Sequence, residues 1–258
     1  MVNVAVMNES KSVSDKDVRA VVKALQVQVS KHFAPVWGID AKLTFVPKGQ
    51  KPASGSWWLV YFDDSDVAGA LGYHDVTSEG LPLGKVFAGT VKKYGGSHSV
   101  TASHELLEML GDPDINLTVF VESESTAGVL YAYEVADACE ADQFGYKIGD
   151  ILVSDFVYPS WFQSFWQSQQ TQFDYMKKIT KPFQLLSGGY IGVYDIGSGG
   201  GWTQKTYDTA NSYDVRPRVG SRREKRRTPR EHWLASTIRL KDTAQQVAEW
   251  MSDISKPL

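Results

Sequence analysis

The chain has 258 residues, 42% of them hydrophobic and 22% charged, which accommodates one large domain or two small ones with a core of ordinary size. Its single cysteine, Cys139, excludes an internal disulfide and a thiolate-pair metal site, and no stretch approaches the ~18 apolar residues of a membrane span. The net charge of −3 is unevenly spread: Arg216, Arg218, Arg222, Arg223, Lys225, Arg226, Arg227 and Arg230 are opposed locally only by Glu224, so a basic arm follows an acidic body.

The opening "MVNVAVMNESKS" has no basic n-region and no long apolar run, so no signal peptide is expected; the expected setting is cytoplasmic, or release by lysis. "VNVAVM" reads as a first strand. Ser14 caps the helix that follows, with Asp15 and Asp17 in its first turn. Val18, Val21, Val22, Leu25, Val29 and Phe33 recur at helical spacing until Pro35 and Gly38 end it. "AKLTFVP", "WWLVYF", "GALGYHD" and "GKVFAGTV" read as strands. Ser97 or Ser99 then caps a helix over about 98–110, which Gly111 and Pro113 stop. "VFVESESTAGVLYAYEV" reads as a hairpin and "YKIGDILVSDFV" as another strand pair. "SWFQSFWQSQQTQFDYMKK" is expected to be helical, and "YIGVYDIGSGGGW" a strand entering a glycine-rich loop. Val247, Trp250, Met251 and Ile254 predict a short amphipathic helix near the end. The order is that of an α+β fold: a mixed sheet with a long N-terminal helix and an active-site helix, then a β-rich C-terminal half. The boundaries expected are a domain over 1–200, a glycine-rich loop and basic arm over 201–230, and a C-terminal segment over 231–258.

The segment "ASHELLEMLGDPD" carries the chemistry. At ~100° per residue, Glu108 lies about 40° from His104 on a helical wheel, with Glu105 flanking the same edge. Leu106 and Leu110 point to the opposite side, as core anchors. His104 and Glu108 thus converge on one ion, and Gly111, tolerating positive φ, permits a reversal that returns Asp114 to it. The bland alternative is a surface helix with Glu105 and Glu108 solvated.

"HELLEMLGDPD" resembles the metzincin pattern HExxHxxGxxH/D of zincin metallopeptidases. The resemblance implies His104 as first ligand, Glu105 as general base, Gly111 as turn glycine and Asp114 as third ligand. Glu108 stands where the family has its second histidine. The element order over about 1–115 is also similar to zincins: strand, long helix, strands, an edge strand such as "GKVFAGTV", then the active helix. Metzincins carry a methionine turn beneath the metal; Met176 is the only methionine between the active helix and the last helix, but "FDYMKK" does not read as a tight turn. Three neutral histidines leave a zinc ion dipositive, whereas one histidine and two carboxylates neutralise it, so bound water is acidified less and activity is expected to be weak or absent. These harder ligands accept calcium, manganese or iron as well as zinc.

Other residues offer alternatives. Glu134, Asp137 and Glu140 in "YEVADACE" stand at steps of three; with Asp112 and Asp114 they can build an oxygen-rich calcium site, or replace Asp114 as the source of the third zinc ligand. Their bland reading is a polar strand end and turn. His74 and His98 can line a cleft, though lone histidines are more often structural. Cys139 reads as a small buried residue. The arm over 216–230 contains no aromatic residue, so base stacking is not suggested; it is expected to strap an acidic protein surface or another copy, without sequence-specific nucleic-acid binding or membrane contact. The leading expectation is a metal-dependent hydrolase, zinc metallopeptidase-like, acting on a peptide or protein. The alternative is a non-catalytic structural or interaction protein on a zincin-like scaffold, such as a phage-type virion or assembly component.

Overall fold

Strand β1 (Val2–Asn8) buries Val4, Ala5 and Val6 in succession, the mark of a strand covered on both faces. A computed structural model describes residues 1–66, 70–77, 79–122, 127–166, 170–198, 201–207 and 209–214, all within the unit Met1–Val219. The basic arm over 216–230 and the expected C-terminal helix lie outside the described residues.

The fold is α+β. Helix α1 (Asp15–Val27) starts where Ser14 Oγ accepts the Asp17 N–H, and it continues through a π-helical stretch, Gln28–Phe33, into the short α2 (Ala34–Trp37), ending at Gly38. Pro35 lies in the first turn of α2 rather than ending the helix, since a proline there forfeits no helical hydrogen bond. Strands β2 (Ala41–Val46), β3 (Trp57–Phe62), β4 (Gly72–Val76) and β5 (Pro82–Phe87) complete a five-stranded sheet in the order β2-β1-β3-β5-β4, parallel except for β4. The edge beside the later helix is therefore β4, not "GKVFAGTV": β5 is paired on both sides, and Ala88–Lys93 turns helical as α3.

Helix α4 (His98–Gly111) packs on β5, β4 and the later strand Ile151–Val153. Every residue from Ala102 to Leu110 is buried, so it is a central helix, not a surface one, and the solvated reading of Glu105 and Glu108 does not hold. Ser97 is the N-cap by position, but its hydroxyl pairs with Ser99 Oγ; the Asp142 carboxylate accepts the Ser97 N–H instead. Gly111 does not adopt positive φ. It is the last residue of α4, and a Cβ there would lie 2.8 Å from Val135 Cγ1, so the glycine permits close packing rather than a reversal.

Beyond α4, β6 (Thr118–Val121), β7 (Val129–Ala132), β10 (Tyr190–Asp195), β11 (Thr203–Thr206) and β12 (Thr209–Asp214) form an antiparallel sheet in the order β12-β11-β10-β7-β6, while β8 (Tyr146–Ile148) and β9 (Ile151–Val153) make a separate hairpin. The glycine-rich loop expected over 201–230 thus begins with two strands. "SWFQSFWQSQQTQFDYMKK" contributes one 3-10 turn, Pro159–Phe162, and no long helix among the described residues: Trp161, Phe162 and Phe173 are buried singly under the second sheet instead of lining one helical face. Contrary to expectation, its end does form a tight turn. The Lys177 N–H donates to the Asp174 carbonyl (3.3 Å), with Lys177 at φ 57, and the Met176 N–H donates to Asp155 Oδ1. Among the described residues no helix is long and apolar enough to cross a membrane.

Two hydrophobic cores result. One lies among β1, β2, β3, α1 and α4; the other, built on Trp161, Phe162, Phe173, Ile191 and Val193, lies against the second sheet. A buried polar trio locks α1 to α4: Gln28 Nε2 donates to the Ser154 carbonyl (2.8 Å), Ser103 Oγ donates to Gln28 Oε1 (2.6 Å), and the Ser154 N–H donates to Ser103 Oγ (3.0 Å). Gly72 lets α4 approach the sheet, and Gly84 makes room for Leu59 within it. A Cβ at Gly72 would lie 2.6 Å from Glu105 Oε1 and 2.8 Å from the Lys85 carbonyl; one at Gly84 would lie 2.8 Å from Leu59 Cδ1. Gly72→Ala is therefore expected to destabilise the protein by about 1–3 kcal/mol, read by denaturant unfolding; an unchanged midpoint would show that helix and sheet are not this close.

Candidate metal centre

Helix α4 presents His104, Glu105 and Glu108 toward β4 and the chain that leaves β7. Strand alternation puts His74 on the same face of β4 as Gly72, so the histidine ring projects where the glycine has cleared room for the helix. From the other side come Glu134, just after β7, and Asp137 and Glu140, one 3-10 turn apart and hence stacked along one edge. Backbone bonds pin this segment: the Val157 N–H donates to the Val135 carbonyl (2.8 Å), and the Leu186 N–H to the Ala138 carbonyl (2.9 Å).

His104 Nε2 lies 3.2 Å from Glu108 Oε2 and 3.3 Å from Asp137 Oδ1. His74 Nδ1 lies 3.5 Å from Glu108 Oε2 and 3.8 Å from Glu105 Oε2, and its Nε2 lies 3.8 Å from Glu134 Oε2. Direct charge-assisted hydrogen bonds would be shorter, about 2.7–2.9 Å. Two donors each about 2.1 Å from a common ion sit about 3.0 Å apart at a right angle and about 3.4 Å at the tetrahedral angle, which is the spacing seen at His104. Two groups can hold a metal ion: His74, Glu108 and Glu134; and His104, Asp137 and Glu140. Within each group the donor atoms lie within 4.8 Å of one another.

Asp114, expected as third ligand, is in neither group. The chain beyond Gly111 enters a turn in which the Ile115 N–H donates to the Asp112 carbonyl, with Ile115 at φ 55, leaving Asp114 exposed. Asp112 is buried but not a ligand either: its carboxylate accepts the N–H groups of Asn116 and Leu117. Glu134, Asp137 and Glu140 do come to the centre. His98 sits at the start of α4, edge-on to Tyr61 with ring centroids 5.9 Å apart, and Cys139 is buried as expected. The candidate donor that sequence reasoning read only as a cleft-lining residue is His74. Its only signal was the Gly72-x-His74 alternation in a short strand ahead of the His-Glu helix.

Burial and mutual repulsion dominate the electrostatics. Burial opposes the His104 imidazolium, yet Glu108 and Asp137 together hold its pKa well above the ordinary value. Burial equally opposes ionisation of Glu108, but His104 and His74 hold its carboxyl well below the usual range. Burial, reinforced by Glu108, pushes Asp137 well above it. Burial also raises Glu105 and pushes Glu140 up to about 7. His104 and Glu108 thus favour their charged forms while burial works against ionisation of Glu105, Asp137 and Glu140, and a dication among them would favour their ionised forms.

Compared with protein-family models, curated proteins and solved structures, the chain matches none.

Without an ion, stability should fall between pH 5 and pH 8. Raised acids such as Glu140 favour folding most below their unfolded pKa, near 4.5, and lose that advantage as pH climbs to about 7, on the order of 2–3 kcal/mol for this group. His104 acts in the same direction, its contribution being lost as pH rises through its folded pKa; the contribution of Glu108 is lost only below about pH 4.5. Thermal unfolding in chelator should thus give a lower Tm at pH 8 than at pH 5, with metal closing the gap because its ligands must shed protons to bind. Equal midpoints in chelator would contradict this charge assignment.

Proposed function

We propose that the protein is a metal-dependent hydrolase of the metallopeptidase kind, with zinc held by His104, Asp137 and Glu140. The observation that carries this reading is the convergence of these three side chains, of which Glu140 alone is not fully buried. Open access at one side of a three-ligand group is what a catalytic ion needs in order to hold a water. Glu105, next to His104 on α4, is buried, and its Oε2, 3.8 Å from His74 Nδ1, has no hydrogen-bond partner among the described residues. A zinc ion held there would supply Lewis-acid polarisation and acidify a water, and Glu105 would be the residue that accepts a proton and returns it to the leaving amine.

Two further features support a zincin-like reading. Strand, long helix, strands and then the His-Glu helix follow in the general order that the resemblance implies, although the edge strand is β4 and the short helix α3 intervenes. Met176 lies in a tight turn after the second metal-binding segment. With one histidine and two carboxylates the ion is neutralised, so turnover should be slow, and manganese or calcium should compete with zinc.

A second reading, a non-catalytic assembly protein, is favoured by the depth of part of the cluster: His74 is 0% exposed, Glu108 2% and Glu134 3%, the burial of a structural ion.

Protein purified without added ions, then supplied with zinc, should hydrolyse members of a broad peptide library, and Glu105→Gln should lower kcat/KM by about 10²–10⁴-fold while leaving metal content unchanged. Metal uptake with no hydrolysis would eliminate the enzyme in favour of the assembly reading, and undiminished hydrolysis in Glu105→Gln would remove the base assignment.

A further inference from the structure

The centre contains more ligands than one ion can use. Glu105, Glu108, Glu134, Asp137 and Glu140 surround His74 and His104 in a space almost closed to water. One dication offsets two ionised carboxylates, which would leave several buried acids uncompensated; a second dication offsets two more. The side chains sort accordingly. His74, Glu108 and Glu134 form a deep group, while His104, Asp137 and Glu140 form an outer one. Glu108 belongs to both by distance: its Oε2 lies 3.5 Å from His74 Nδ1 and 3.2 Å from His104 Nε2. Its other oxygen is nearly idle, with one long contact from the Ala136 N–H at 3.4 Å.

An independent observation points to a ligand at the deep position. Glu105 is 5% exposed, and its Oε2 has no hydrogen-bond partner among the described residues while lying 3.8 Å from His74 Nδ1. A buried carboxyl oxygen facing an imidazole nitrogen across a gap too wide for a hydrogen bond is the arrangement left around a cation.

We propose that this is a binuclear centre, in which the Glu108 carboxylate bridges a deep divalent ion held by His74 and Glu134 and an outer one held by His104, Asp137 and Glu140. The inference rests on the metal reading above and extends it. Bridged ions about 3.5–4 Å apart clamp both oxygens of a displacement, so the deep ion supplies charge and the outer ion carries the water. The deep position is enclosed, so its ion should exchange more slowly than the outer one.

The test is metal stoichiometry of the full chain. Protein stripped with chelator is titrated with Mn²⁺ and examined by EPR, and the count is repeated with Zn²⁺ by elemental analysis after gel filtration. The expected result is two equivalents, with an exchange-coupled Mn²⁺ spectrum at full loading. His74→Ala, and the more conservative His74→Gln, should retain one equivalent and show an uncoupled spectrum; His104→Ala should likewise retain one. A single equivalent in the unaltered protein would overturn the binuclear inference while leaving the hydrolase reading intact, whereas no uptake at all would remove both. Two equivalents without coupling would overturn the bridging role of Glu108, and two retained in both His74 variants would overturn the placement of the deep ion at His74.

Discussion

Everything around the centre answers to one carboxylate. Glu108 faces two histidines from the middle of a buried helix, and a charge in that position survives only if its neighbours are held in place. The rotation and height of α4 are therefore tightly constrained. The Gln28–Ser103–Ser154 trio fixes the helix one residue ahead of His104, and each of the three hydrogen bonds joins groups that would be costly to bury alone. The π-helical stretch at the end of α1 belongs to the same device, since it contains the Gln28 that makes two of those bonds. Distortions of this kind recur where a helix must present one side chain out of register with the rest.

Close approach is the second requirement. An aliphatic side chain at position 72 would hold α4 away from β4 and put His74 out of reach of Glu105 and Glu108. Gly72 therefore acts on the centre without touching an ion. Gly111 does the same on the other side, admitting Val135 and hence the segment that supplies Glu134, Asp137 and Glu140. That segment passes from one core to the other: Val135 packs with α4, while Ala138 and Cys139 pack beneath the second sheet. A metal-binding centre at such a crossing draws its rigidity from both cores, and an ion there would in turn tie them together.

Much of the first half was legible from pattern alone. Ser14 with Asp15 and Asp17, the apolar spacing through Phe33 and the alternating strands each carry their own local physics, so β1, α1, β2, β3 and both later hairpins stand where periodicity puts them. The His-Glu helix was equally readable, since i and i+4 share a face on any helix and His104 and Glu108 do meet. Local pattern failed where the outcome was set by a distant partner. Residues 88–93 turned helical once β5 was paired on both sides, and the aromatic stretch after β9 was broken up by individual burial of Trp161 and Phe162.

The sequence by itself determined which chemistry was available: one cysteine excluded thiolate sites, and the spacing of His104 and Glu108 on a helix put two candidate metal donors on one face. Tertiary structure alone decided which residues join them. Asp114 is three residues beyond the helix but a left-handed Ile115 turns it outward, whereas His74 is thirty residues upstream and Glu134, Asp137 and Glu140 lie well downstream, brought in by an antiparallel edge strand and a pinned 3-10 turn. Helical proximity follows from bond geometry and can be read along the chain; convergence of an edge strand, a helix and a loop follows from packing two cores together, which no local spacing encodes.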